Sequence, residues 1–381
     1  ESFTRALRLS KEEFLALGRT SPADSGEWFG MTPFAIRMTR SANGVSRKHG
    51  EVSRELWLKM FPEGTPAGEV PIASVTNGVH APTWIAPVLK NLYENHIGAD
   101  WTEILRDAND WKAALDRIPD AEIWRAHLLL KQTLVAFIRR RTLAPDTGLR
   151  NTINEHTNTA HLFDPKVLTI GFARRVAAYK RWNLLLSDAE RLLKMVGDRD
   201  RPVQFVFAGK AHPQDRTAKL LLQNLMTQNQ NEIWFRRAVF VEDYDQEIAR
   251  YLVQGVDVWM NVPRRPLEAS GTSGEKAAMN GVLNLSILDG WWIEGYDGEN
   301  GFSIGVAEDS PLDDEETIDQ ADAESFYHVL ETEVIPAFYA LDENNLPSVW
   351  IARMRRALET LTPGFSSDRM LRDYLEKIYN L

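Results

Sequence analysis

Five short apolar runs recur along the centre of the chain, and segments with helical spacing alternate with them. The runs are VLTIGFA (167–173), VQFVFAG (203–209), AVFVED (238–243), VDVWMNV (256–262) and VLNLSIL (282–288). Their apolar residues are consecutive rather than alternate, which marks strands buried on both faces. Helical patterns fall at 180–195, 215–227, 246–254 and 272–280. Strand, helix and strand repeating at this spacing predict an α/β fold with a doubly wound parallel sheet. Such a sheet gathers its ligands beyond the carboxyl ends of the strands, which tells us where to look for chemistry.

The remainder of the chain frames that centre. Its 381 residues suggest about two domains. The first 70 residues do not follow the alternation and read as part of another domain. Residues 108–141 are largely helical in pattern, and 308–325 reads as an acidic solvated loop leading into a helix at 326–340. Two helices close the chain, 348–361 and 368–379, separated by the punctuation of TPGFSS. A formal net charge of −10 argues against general binding to nucleic acid or a membrane surface. With no cysteine, disulfides and thiolate chemistry are excluded, and a cytoplasmic setting is expected. No apolar run reaches the roughly 18 residues a membrane helix needs, and no metal-ligand set is read from the sequence. The chain begins at Glu1 and reads as a fragment of something longer.

The strand ends carry cations out of keeping with the acidic average. Arg174, Arg175, Lys180 and Arg181 follow the first run, Lys210 the second, Asp243 and Tyr244 the third, and Arg264, Arg265 and Glu268 the fourth. Arginine and lysine make strong charge-assisted bonds to phosphate, so an anionic ligand is expected there. Next comes EASGTSGEKAAMNG (268–281), where SGTSG precedes a helix start and offers unpaired backbone N–H groups. Serine, threonine and glycine also make ordinary caps, so this signal is weak alone. Lys276 lies about one turn inside that helix. A surface position is the usual fate of lysine, but a partly desolvated one becomes nucleophilic towards carbonyls. That chemistry suits a Schiff base with pyridoxal phosphate.

EASGTSGEKAAMNGVLNLSILDGWW (268–292) resembles the pyridoxal-phosphate segment of α-glucan phosphorylases, the glycogen and maltodextrin phosphorylase family, most closely the short bacterial forms. NGVSRKHGEVSRELW (43–57), VTNGVHAPTW (75–84), GFARRVAAYKR (171–181), FAGKAHP (207–213) and VFVEDYD (239–245) resemble further segments in the family's order and spacing. The resemblance implies a GT-B-like fold with 1–72 as the remnant of an N-terminal domain. It makes 73–347 a Rossmann-like domain for cofactor and phosphate, and 348–381 helices packing back towards the N-terminal domain.

It also implies phosphorolysis of α-1,4-glucans by orthophosphate, releasing glucose 1-phosphate with retention. Pyridoxal 5′-phosphate would be held covalently by Lys276 and would act through its own phosphate. Around it the resemblance sets Arg174, Thr272, Ser273, Tyr244 and Trp84; Arg175 and Lys180 hold the substrate phosphate. Asn77, Glu268, Ser270, Gly271 and the His49 carbonyl bind the glucosyl unit. Two phosphates side by side repel unless cations neutralise them, which gives the basic rim a physical reason.

Glu275 departs from the family, which usually has an apolar residue there. A retaining nucleotide-sugar glycosyltransferase such as glycogen synthase is the nearest alternative, but it carries glutamate where Lys276 stands, eight residues after Glu268. A non-catalytic half of a split phosphorylase is the other. An N-terminal half, as lost segment or separate chain, is the expected partner, and a homo-oligomer is a further one.

Overall fold

The computed structural model describes residues 2–142, 163–216, 237–307 and 314–379, together with 218–220, 223, 234, 310 and 312. Most of the expected helix at 215–227 lies outside the described residues.

After three short helices, Ser2–Leu7, Lys11–Ala16 and Met31–Met38, comes a small parallel pair, β1 (Ala42–Gly44) with β2 (Ile72–Ser74), bridged by helix α1 (Arg47–Trp57). The long helix α2 (Asp120–Thr142) then leads into the main sheet. That sheet holds β3 (Leu168–Ala173), β4 (Val203–Ala208), β5 (Ala238–Val241), β6 (Val258–Asn261), β7 (Leu283–Ile287) and β8 (Gly301–Ile304), all parallel. The helices that position the site are α3 (Ala189–Gly197), α4 (Gln246–Gly255), α5 (Thr272–Ala278), α6 (Glu315–Val329), α7 (Ser348–Gly364) and α8 (Ser367–Tyr374).

The period of two along each strand builds two cores. Leu168, Ile170 and Phe172 of β3 join Phe205, Met260 and Leu285 on one face. Ala173, Val206, Val239 and Trp259 point the other way, onto Leu134 and Ile138 of α2 and Leu252 of α4. Every residue of β3, β4, β6 and β7 is buried, as consecutive apolar runs require. At Gly171 the end of α4 comes so close to β3 that a Cβ would lie 2.9 Å from Val256.

One buried charge cluster fastens α2 to the sheet. Asp257, just before β6, meets His127 Nε2 at 2.8 Å and the Lys131 ammonium, and accepts from the Thr169 amide at 2.7 Å. All three side chains are at most 1% exposed. Burial alone would raise the Asp257 carboxyl, but Lys131 and His127 hold it below its ordinary value. Burial lowers Lys131, and Asp257 offsets part of that.

Four expectations need correcting. Residues 180–195 are not one helix: short 3-10 turns, Ala178–Lys180 and Leu184–Leu186, precede α3. Arg181 sits between those turns with φ +47°, a left-handed backbone that a helix cannot contain. The acidic stretch expected as a loop to 325 forms most of α6. Asp314 caps it, accepting from the Thr317 amide at 2.8 Å, and its inner face buries Asp322, Ala323 and Phe326. Buried Arg181 reaches Asp319 at 2.8 Å and Asp322 at 2.7 Å, so part of that acidity faces inward. Helix α7 continues through Pro363, and the break comes at Phe365, after which Ser366 caps α8. Finally, β1, β2 and β8 were not anticipated, because three or four residues leave almost no periodic signal.

Replacing Asp257 with alanine leaves Lys131 buried without its counter-charge. Urea unfolding followed by tryptophan fluorescence is expected to show a loss of about 3–5 kcal/mol.

Candidate active site

Strand order in the main sheet is β5-β4-β3-β6-β7-β8. Connections leave β3 in one direction and β6 in the other, so a crevice opens beyond their carboxyl ends. Arg174 is the first residue past β3, its amide donating to Ala208 O at 3.1 Å. A side chain at Gly209 would put Cβ 2.4 Å from the Arg174 carbonyl, so the glycine of FAG lets the two strand ends close up. Lys180 ends the 3-10 turn, and the Tyr179 carbonyl accepts from the Arg264 amide at 2.7 Å, tying this loop to the one after β6.

Glu268 joins the two loops chemically. Its Oε2 accepts from Arg174 Nη2 at 3.2 Å and from the Lys180 ammonium. The three side chains are 9%, 7% and 8% exposed for Arg174, Lys180 and Glu268. Burial and the neighbouring Arg174 push Lys180 down to about 8, with Glu268 opposing the shift. Burial also lowers Arg174, and its Nη1 is buried with no hydrogen-bond partner.

The segment 268–276 is held by packing that leaves little room. Gly271 has φ +96°, a conformation that side chains avoid. A Cβ on Gly274 would fall 2.5 Å from Asn284 Oδ1 and 2.8 Å from the Trp291 ring. Trp291 is itself 1% exposed and stacks edge-on against Phe365 at 4.8 Å. Asp289 Oδ2 accepts from the Glu268 amide at 2.9 Å, and burial raises its carboxyl to about 6. Ser46 donates to the Ala269 carbonyl at 2.7 Å, which brings the β1–α1 turn onto the same loop.

Lys276 projects from α5 with its ammonium 4.0 Å from the centre of the Trp84 ring. Burial lowers its pKa, while Glu275 opposes the change. The Trp84 carbonyl accepts from Gln254 at 3.1 Å and from Asn280 at 3.0 Å, so the ring's backbone is fixed from two sides. Tyr244 packs with Trp84 against the second core, near enough to Arg174 to feel its charge.

The remaining candidates divide. Thr272 and Ser273 stand half-buried in the first turn of α5, where Ser273 Oγ accepts from Trp259 Nε1 at 3.2 Å. Ser270 is buried beneath the loop. Asn77 is half-buried; its amide donates to Val45 O at 3.0 Å and its carbonyl accepts from Arg369 at 2.8 Å. His49 lies in the first turn of α1, its Nδ1 accepting from the Val45 amide at 3.1 Å, and burial lowers its pKa. Arg175 does not join the buried cluster: it is exposed. Asp289, Arg369, Ser46 and Tyr179 were not singled out from the sequence. Asp289 at the end of the VLNLSIL run carried the same strand-end signal as Arg174; the other three carried none.

A family model described as carbohydrate phosphorylase matches residues 15–328. A glycogen phosphorylase of Aquifex aeolicus is 45% identical over 97% of this chain, which spans 52% of that protein. A maltodextrin phosphorylase of Thermococcus litoralis is 42% identical over 98% of this chain and 42% of its own length. A glycogen phosphorylase of Mycobacterium tuberculosis is 42% identical over 97% of this chain, again 42% of its own length. The chain therefore spans about half the length of the curated relatives it matches. No helix among the described residues is long and apolar enough to cross a membrane.

Asp289 supplies a test of the site's electrostatics. Its folded carboxyl titrates at about 6 against 3.8 unfolded, so the folded state holds the extra proton between those values. Stability is therefore lost as pH rises from about 4 to about 6, on the order of 3 kcal/mol in full. Asp289→Asn removes this share of the slope; the difference between the two proteins' unfolding curves across that window checks it.

Proposed function

The chain belongs to the carbohydrate phosphorylase family, and on that premise we propose that it carries the phosphate-handling half of an α-1,4-glucan phosphorylase of GT-B-like architecture. In the completed enzyme the terminal C1–O bond of the glucan breaks and a C1–O bond to orthophosphate forms with retention. The leaving glucan oxygen takes a proton, and glucose 1-phosphate is released.

The observation that carries this reading is the buried Arg174–Glu268–Lys180 cluster, together with a partly desolvated Lys276 on the helix that follows Glu268. Two cations share one carboxylate, and one guanidinium nitrogen still lacks an acceptor. An isolated Lys–Glu pair needs no second buried cation, whereas a place for phosphate does.

The residues present fit pyridoxal phosphate. The unpartnered Arg174 Nη1 is a donor awaiting an anion, and Lys276 is held over a flat ring. Lys276 would hold the aldehyde carbon, Arg174, Thr272 and Ser273 the phosphate, and Trp84 and Tyr244 would pack nearby. When bound, the group would supply a phosphate able to exchange a proton with the substrate phosphate.

The protein's own part is electrostatic. Arg174 and Lys180 are preorganised, so no reorientation is needed when anions replace Glu268 as their partner. Glu268, released from them, accepts from glucosyl hydroxyls, joined by Asn77, Ser270, Gly271 and the His49 carbonyl. Exposed Arg175 meets the incoming phosphate at the mouth and follows it inward. Burial around Lys180 excludes water and strengthens each of these contacts.

An N-terminal segment completing the cleft is part of the proposal, and the chain's spanning about half the length of its relatives supports it. A purely binding half is the second reading, favoured by that same half-length match. The two separate in one assay of maltodextrin plus orthophosphate. Glucose 1-phosphate is expected once the N-terminal segment is supplied; none from the assembled protein would sink the phosphorylase reading.

Two outcomes follow for that assembled enzyme. Lys180→Ala is expected to lower kcat/KM for phosphate by about 30- to 1,000-fold, the effect of losing 2–4 kcal/mol of charge stabilisation. Because Lys180 binds phosphate as its cation and titrates at about 8, kcat/KM for phosphate should fall as pH rises through 8. Lys180→Arg should move that limb to higher pH, which steady-state rates against pH will show.

A further inference from the structure

Glu275, next to Lys276 on α5, is 1% exposed, and neither carboxyl oxygen has a hydrogen-bond partner. Four groups face it electrostatically. Lys276 comes from its own helix, Ser270 from the preceding loop, Arg369 from α8, and Glu294 from the short helix Trp292–Gly295. The two cations are occupied. Arg369 donates to the carbonyls of Thr76, Asn77 and Gly364 and pairs with Asp373 at 3.1 Å. Lys276 lies over Trp84. Glu294 binds Arg47 at 3.0 Å and Thr76, and as a like charge it opposes ionisation of Glu275.

Ser270 Oγ is also buried without a partner of good geometry, although it is close enough to Glu275 to weigh on its ionisation. Three unsatisfied polar atoms thus meet in one dry place, where each would be costly alone. A carboxylate accepts from the Ser270 hydroxyl but keeps a full charge in a dry place, with both nearby cations already engaged. A neutral carboxyl carries no charge to desolvate and has one proton to give.

We propose that Glu275 is carried as the neutral carboxylic acid and donates its proton to Ser270 Oγ, latching the loop 268–271 to the helix that bears Lys276. The Ser270 carbonyl already accepts from the Trp291 amide at 2.9 Å, so the latch fixes the residue from its side chain as well as its backbone. Burial drives the carboxyl well above its ordinary range, which supports the neutral form. Glu275 is then a positioning residue: it sets the loop that presents Glu268, Ser270 and Gly271. That consequence rests on the phosphorylase reading, while the latch does not.

The sign of the pH effect is fixed by the raised value. Above about pH 4.5 the unfolded chain releases this proton and the folded chain keeps it. Stability therefore falls with rising pH by up to about tenfold in the folding constant per unit, until the folded carboxyl itself ionises.

Glu275→Gln keeps the shape and a donor but cannot titrate; Glu275→Met keeps the length and loses the donor. Urea unfolding of the 381-residue chain from pH 5 to 9 needs neither cofactor nor turnover, so its failure is separable from that of the phosphorylase reading. The Gln variant should match wild type near pH 5 and become progressively more stable than it as pH rises. Isotope-edited infrared spectra at pH 7 should show a protonated glutamic acid carbonyl that Glu275→Gln lacks. Hydrogen exchange at the Trp291 amide should quicken at least tenfold in Glu275→Met and stay unchanged in Glu275→Gln. A pH-independent gap between Gln and wild type, carboxylate bands alone, or equal exchange in both variants would each overturn the proposal.

Discussion

A single carboxylate, Glu268, makes the buried pair of cations at the sheet's centre tenable. Arg174 and Lys180 would repel each other in a place that is nearly dry, and burial, then Arg174, lowers Lys180. Glu268 lies on Oε2 between them and so neutralises one charge while leaving the pair net positive. Such an arrangement is a poor stabiliser in itself, because desolvation offsets much of the attraction. It is well suited to be taken over by an anion. Strand order brings the two halves together: Arg174 ends β3, Glu268 follows β6, and these are the neighbours from which the sheet winds in opposite directions.

Rigidity around the cluster comes from apolar packing rather than from the charges. Trp291 fills the space under Gly271 and Gly274, and Phe365 closes over its edge. Arg369 of α8 holds the carbonyls of Thr76 and Asn77, while Ser46 reaches the Ala269 carbonyl. The first eighty residues and the last two helices thereby brace one loop. Preorganisation of this kind is what lets a charged site act without rearranging during a reaction.

The sheet was legible because buried parallel strands declare themselves as consecutive apolar runs, and five of its six strands did so. Strand β8 hid because GFSI is short and mixed. The acidic segment hid α6 because composition outweighed the periodic burial of Asp322, Ala323 and Phe326. Within the site, Arg174, Lys180, Glu268 and Lys276 were visible because they stand at strand ends or break the pattern of a helix. Arg369 and Ser46 were not, since they act through backbone carbonyls of residues 292 and 223 positions away. Glu275 was visible as an anomaly, but only the burial of both its oxygens shows what kind of anomaly it is.

Lys276, partly desolvated against Trp84, is the residue proposed to hold pyridoxal phosphate. Borohydride reduction of the assembled protein followed by peptide mass mapping tests it most directly. A pyridoxyl group is expected on the peptide that contains Lys276 and on no other. A protein that carries none, or carries it on a different lysine, would contradict it.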